Sequence, residues 1–64
     1  MLRINGEEKD FAGEKLLDVL RKECYEPARV VVERNLEIIP KDQLSDVVLQ
    51  DEDVLEVLRF VGGG

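Results

Sequence analysis

Apolar and polar residues alternate from Met1 to Asn5, with Leu2 and Ile4 on one side and Arg3 on the other, which predicts a strand. Asn5-Gly6 supplies the two positive-φ positions of a tight type I′ hairpin. The chain is then expected to return as a short, charged edge strand over Glu8 to Phe11. Ala12-Gly13-Glu14 breaks the alternation, and from about Glu14 to Cys24 the period becomes helical. Leu16, Leu17, Leu20 and Cys24 gather on one face, Val19 lies on its margin, and Asp18, Arg21, Lys22 and Glu23 take the wet side. Glu14 in the first turn and Arg21 and Lys22 in the last complement the helix dipole. No Ser, Thr, Asp or Asn caps the start, which leaves Gly13 as the weaker substitute, and Pro27 ends any continuation.

The β-branched run Val30-Val31-Val32 within Arg29 to Arg34 predicts a buried strand. Asn35-Leu36 falls where a hairpin turn is expected, followed by a short strand at Glu37 to Ile39 that Pro40 stops. Lys41 to Ser45 reads as a turn or one helical loop, Val47-Val48-Leu49 as an extended piece, and Asp51-Glu52-Asp53 as a polar turn. Val54 to Val61 is the last predicted strand. Leu44, Val48, Leu55 and Leu58 also fit the face of a second helix over Asp42 to Arg59. Strands are favoured because that face would carry Asp51 in its seam and because Val47, Val48, Val54 and Val57 are β-branched. A hairpin, one crossing helix in a right-handed connection, a second hairpin and a last strand make an α+β fold. A mixed sheet with one helix packed across it is the β-grasp, or ubiquitin-like, architecture. It occupies residues 1–61 as one domain, with 62–64 as a flexible tail.

Composition changes this picture mainly by subtraction. Among 64 residues there is no His, Thr or Trp, a single Ser (Ser45) and a single Cys (Cys24). Imidazole triads, His metal sites and most hydroxyl nucleophiles are thereby removed. A chain of this length has no room for both a core and a deep substrate cavity of roughly 300 Å³. A binding or carrier module is therefore expected rather than a self-sufficient enzyme. Nine Lys and Arg against fifteen Asp and Glu leave a net charge of −6, which opposes nucleic acid and favours a protein partner with a basic surface. No apolar run approaches the ~18 residues of a membrane span, and one cysteine cannot form an intrachain disulfide. The expected location is cytoplasmic.

Few side chains then remain to carry chemistry. Cys24, on the predicted apolar face, reads as a small buried hydrophobe. Glu7-Glu8 and Asp51-Glu52-Asp53 lack the spaced ligands and the glycine of a calcium loop, so they read as solvated surface and no metal site is expected. Arg29, Arg34 and Arg59 are expected to pair with carboxylates across the sheet. The C-terminus differs: Phe60-Val61 leads directly into Gly62-Gly63-Gly64. Without side chains such a tail can thread a narrow channel, and three residues reach about 10 Å. The terminal carboxylate, with a pKa of roughly 3.5, is ionised and a poor electrophile. Activation as an acyl-adenylate would make its carbonyl attackable, and a sulfur nucleophile would then leave a thiocarboxylate.

The segment Val32-Glu33-Arg34-Asn35-Leu36-Glu37-Ile38-Ile39-Pro40-Lys41, its continuation through Asp42 to Gln50, and the ending Phe60-Val61-Gly62-Gly63-Gly64 resemble the sulfur carrier protein ThiS family. The Asn5-Gly6 hairpin and the Ala12-Gly13 entry to a leucine-rich helix agree with it. Three positions depart from the family pattern. Leu36 and Glu52 stand where turn glycines are usual, and Leu44 where Trp is frequent. The resemblance implies that a ThiF-like activating enzyme uses ATP to adenylate Gly64, with no cofactor bound by the carrier itself. It further implies that a cysteine desulfurase or other donor supplies the sulfur, and that thiazole synthase, ThiG, consumes it for the thiazole of thiamine. Gly62 and Gly63 would give the tail clearance, and Ile38, Leu58 and Phe60 would form a docking face on the sheet. A related carrier serving molybdopterin or amino-acid sulfur metabolism is the near alternative. A ubiquitin-like interaction module with an incidental glycine tail is the distant one.

Overall fold

The computed structural model describes residues 1–60. Strand β1 (Leu2–Ile4) turns back into β2 (Glu7–Lys9), helix α1 (Leu16–Lys22) crosses, and a 3₁₀ turn at Pro27–Arg29 leads into β3 (Val30–Arg34). Strand β4 (Glu37–Ile39), a 3₁₀ segment at Lys41–Asp46 and β5 (Val54–Arg59) follow. The sheet order is β2-β1-β5-β3-β4, so the last strand is the central one. It lies parallel to β1 and antiparallel to β3. This is the mixed β-grasp sheet expected from the element order. The second-helix alternative over Asp42 to Arg59 is excluded by the pairing of β5 with two neighbours.

The core follows from alternation. Leu2 and Ile4 of β1, Val30 and Val32 of β3, and Leu55 and Val57 of β5 are buried against Leu16, Val19 and Leu20 of α1, with Leu44 and Leu49 closing the ends. Leu44 is thus a core residue at the position where the family pattern often has Trp. The opposite sheet face carries Arg3, Glu33, Ile38, Glu56 and Leu58, the out-facing partners of that alternation.

Both hairpin turns clasp the central strand. Asn5 (φ 51°) and Gly6 (φ 85°) form the expected positive-φ pair, and Asn35 (φ 52°) and Leu36 (φ 73°) repeat it without a glycine. The Asn5 side chain accepts the Val57 N–H at 2.8 Å and donates to the Val57 carbonyl at 3.2 Å. From the other side, the Asn35 side chain accepts the Val54 N–H at 3.0 Å. Each turn asparagine therefore continues the hydrogen bonding of β5 where neighbouring strands end.

Three local expectations are corrected. The returning strand is Glu7–Lys9 rather than Glu8 to Phe11, because the two-residue turn leaves Glu7 directly opposite Ile4. The helix starts two residues later than expected. Lys15 is extended (φ −76°, ψ 139°) and bridges Val48, while Gly13 donates to Leu49, Leu16 donates to Val47, and Leu49 donates to Glu14. That pairing uses the backbone of 13–16, so Gly13 is no cap, and it explains why 47–49 is extended. The helix also ends earlier. Cys24 has φ 64°, and its N–H donates to the Arg21 carbonyl at 3.0 Å while Tyr25 N–H donates to Leu20 at 2.8 Å. These bonds define a Schellman stop with Cys24 at the left-handed position where glycine is usual. Cys24 is consequently exposed rather than on the buried face.

Candidate functional site

Several charged and aromatic side chains gather at the exit of β5, the central strand of the sheet. Phe60, the last described residue, donates its N–H to the Arg29 carbonyl at 3.1 Å, which ties the strand end to the start of β3. The Arg59 guanidinium lies 4.6 Å from the Tyr25 ring centroid and donates to the Cys24 carbonyl at 3.3 Å. Lys41 Nζ stands 5.5 Å from the Phe60 ring and donates to the Ala28 carbonyl. A shallow depression of about 190 Å³ at this exit is lined by Cys24, Glu26, Arg29, Val30, Arg59 and Phe60. The exit is therefore a firm anchor for whatever follows, built from backbone bonds and cation–ring contacts. Gly62, Gly63 and Gly64, the predicted reactive tail, and the Val61 end of the predicted strand lie outside the described residues.

The predicted docking residues are all exposed: Ile38 at 65%, Leu58 at 55% and Phe60 at 57%. They do not form one continuous apolar patch. Ile38 pairs with Glu33, which in turn pairs with Glu56, while Leu58 pairs with Val31 in the adjacent row. Strand β3 thus interposes a carboxylate between Ile38 and β5.

The expected arginine pairings are met once. Arg34 Nε donates to Asp53 at 3.0 Å from β3 toward the start of β5. Arg29 pairs only locally, with Glu26 at 3.4 Å, and Arg59 uses the Tyr25 ring instead of a carboxylate. Asp53 corrects the reading of 51–53 as solvated surface, since it is only 5% exposed. Its carboxylate accepts from Arg34, from Asn35 Nδ2 at 3.1 Å and from Gln50 N–H at 2.9 Å. Burial pushes its carboxyl up, but the Gln50 and Asn35 hydrogen bonds and the Arg34 charge outweigh that and hold it below the ordinary carboxylate value. Apolar periodicity carries no signal for this residue, because two of its three partners, Arg34 and Asn35, come from the β3–β4 hairpin.

Nothing among the described residues assembles a catalytic constellation. Ser45 is exposed on the 3₁₀ segment, and no group of three or more Cys, Asp and Glu is placed to hold a metal ion among the described residues. Among the described residues, a depression of about 330 Å³ between Arg34, Ile39 and Val47 is an open groove rather than an enclosed cavity. Among the described residues no helix is long and apolar enough to cross a membrane.

Comparison with known proteins assigns this architecture. The ThiS family profile matches residues 2–64. The sulfur carrier protein ThiS of Bacillus subtilis is 44% identical over 68 residues, covering the whole of both chains. The crystal structure of the thiamine biosynthesis protein ThiS from Geobacter metallireducens superposes with a TM-score of 0.75 at 27% identity, covering 98% of this chain and 97% of that one. The thiazole synthase of Paramagnetospirillum magneticum is 44% identical over 64 residues, but the chain spans only 20% of that protein's length. In that relative, carrier-like sequence and a protein named for the synthase form one polypeptide. The full-length match, the shared sheet and the tail sequence agree: the chain belongs to the ThiS family and is a sulfur carrier of thiamine biosynthesis, not an enzyme.

Proposed function

We propose that Gly64 is the group that carries the sulfur. Its carboxylate attacks the α-phosphate of ATP on a ThiF-like activating enzyme, forming an acyl-adenylate and releasing pyrophosphate. A sulfide-level nucleophile then adds to the acyl carbon and displaces AMP, leaving a C-terminal thiocarboxylate. Where a cysteine desulfurase supplies the sulfur as a persulfide, the same displacement gives an acyl disulfide, which a thiol cleaves to free the thiocarboxylate while itself being oxidised to a disulfide. Thiazole synthase, ThiG, is the acceptor of that sulfur, a reading supported by the thiazole synthase relatives that contain a stretch similar to this chain. Adenylation is needed because the free carboxylate is ionised at neutral pH and resists nucleophiles.

The observation that carries this reading is the placement of β5. The strand that leads to Gly62-Gly63-Gly64 is central, bonded on both sides, and tied at its end through Phe60 to Arg29. In this reading residues 1–61 are the carrier domain and 62–64 its tail, with Gly62 and Gly63 providing clearance within the partner's channel. Ile38, Leu58 and Phe60 contact the partner from the sheet, and the carrier works in the cytoplasm. Deleting Gly64, or adding one residue after it, should abolish sulfur loading by the activating enzyme and donor. Loading that survived either change would overturn the assignment.

A further inference from the structure

Glu33 on β3 and Glu56 on β5 are direct cross-strand partners at the middle of the exposed sheet face. Both point away from the helix, since their strand neighbours Val32, Leu55 and Val57 are buried. Like charges directly opposite each other weaken a sheet. Among the described residues neither carboxylate enters an ion pair, although carboxylates elsewhere in the fold do. The basic residue on this face, Arg3, stands opposite Val54, two positions before Glu56, and makes no ion pair among the described residues either. Ile38 extends the row beyond Glu33, and Leu58 with Val31 forms the next row.

We infer that the outer sheet face docks a basic protein surface, with an arginine or lysine of the partner entering between Glu33 and Glu56 while Ile38 and Leu58 make the flanking apolar contacts. The inference rests on the carrier reading above and gives the chemistry of the surface that the activating enzyme must present. One cation from the partner relieves the repulsion the fold leaves in place, so binding gains from a charge arrangement that folding alone does not need. A guanidinium suits the site best, because its planar fork can donate to two carboxylates at once. A second copy of this chain is disfavoured as occupant: it would bring four carboxylates together between two bodies of charge −6. The same sign repels nucleic acid and anionic lipid.

The test titrates the full chain into its cognate activating enzyme by calorimetry at low and high salt, with intact mass after ATP and sulfide read in parallel. The pair E33Q/E56Q should weaken binding roughly tenfold or more at low salt and lose most of the salt dependence shown by the wild type. E33K/E56K should abolish binding. Thermal melts should place E33Q/E56Q at or above the wild-type midpoint, which separates lost docking from lost folding. If the pair does not fold, Glu56→Gln alone carries the same test with a smaller loss. Equal affinity and equal salt dependence in wild type and variant overturn the inference, as does absence of binding by the wild type. A wild-type dimer that excludes the enzyme also overturns it, since a second copy would then own the face. Salt-dependent binding lost in E33Q/E56Q, with no mass change in the wild type, would keep this inference and reject sulfur loading at Gly64. Sulfur loading with unaltered binding in E33Q/E56Q would do the reverse.

Discussion

The Asn35 side chain donates to Asp53 at 3.1 Å while accepting the N–H of Val54, the next residue, at 3.0 Å. One turn residue thereby holds both the buried carboxylate and the first residue of the central strand. Arg34 adds a charged bond to the same carboxylate at 3.0 Å, and Gln50 N–H completes the set at 2.9 Å. The β3–β4 hairpin and the polar turn before β5 are locked together at this point. The strand that leads to the glycine tail therefore starts from a fixed position.

Replacing Asp53 by Ala should lower unfolding free energy by about 2–3 kcal/mol, because Arg34 and the Gln50 N–H lose a charged partner. Urea denaturation of the two proteins measures this directly. A loss below about 0.5 kcal/mol, the scale of an ordinary surface substitution, would mean that the cluster is not holding the hairpin.

The same cluster sets a pH dependence. The folded Asp53 carboxyl lies below its ordinary value, so its stabilisation is complete above the unfolded value of about 3.9 and is lost as pH falls through the folded one. The stability difference between wild type and Asp53→Asn should be constant near neutrality and shrink below about pH 4. Denaturation curves across an acid series check it; a difference that grew on acidification would contradict the sign.

Leu36 is 90% exposed at φ 73°, and Glu52 is exposed at φ 69°. A side chain in the left-handed region costs about 1 kcal/mol or more, and neither residue is buried in the core to compensate. Leu36→Gly and Glu52→Gly should each raise stability by roughly 0.5–1 kcal/mol, after allowing for the extra chain entropy of glycine. Thermal midpoints that fell in both variants would show that these side chains are held by contacts.

Cys24 occupies the glycine position of the helix stop at φ 64°. Cys24→Gly should stabilise by a similar amount, and Cys24→Ser should leave sulfur loading unchanged because no step needs this thiol. Stability and loading assays on the two variants separate these effects. Loss of loading in Cys24→Ser would assign the thiol a role.

Residues with a strong period or a specific turn chemistry were legible in the sequence. Asn5-Gly6, the Val30 to Val32 run, the Leu16 and Leu20 face and the five-strand mixed sheet all followed from local patterns. Cys24 was misplaced because helical periodicity cannot see a Schellman stop when the left-handed residue is not glycine. The late helix start was hidden because 13–16 are held by 47–49, a pairing between two segments that each look irregular alone. Asp53 was missed for the same reason: its burial is made by Asn35 and Arg34, some eighteen residues away in the chain. The proposal that the Gly64 carboxylate carries the sulfur rests partly on subtraction, since a chain without His and with one Ser and one Cys has few other groups to offer.

Intact mass spectrometry of the full chain, incubated with ATP, its activating enzyme and a sulfur source, tests the central claim most directly. The account predicts a mass gain equal to one oxygen replaced by sulfur, with fragmentation placing it on Gly64, and no gain in a chain lacking Gly64. An unchanged mass with an active enzyme and donor, or sulfur found on Cys24 instead, would contradict it.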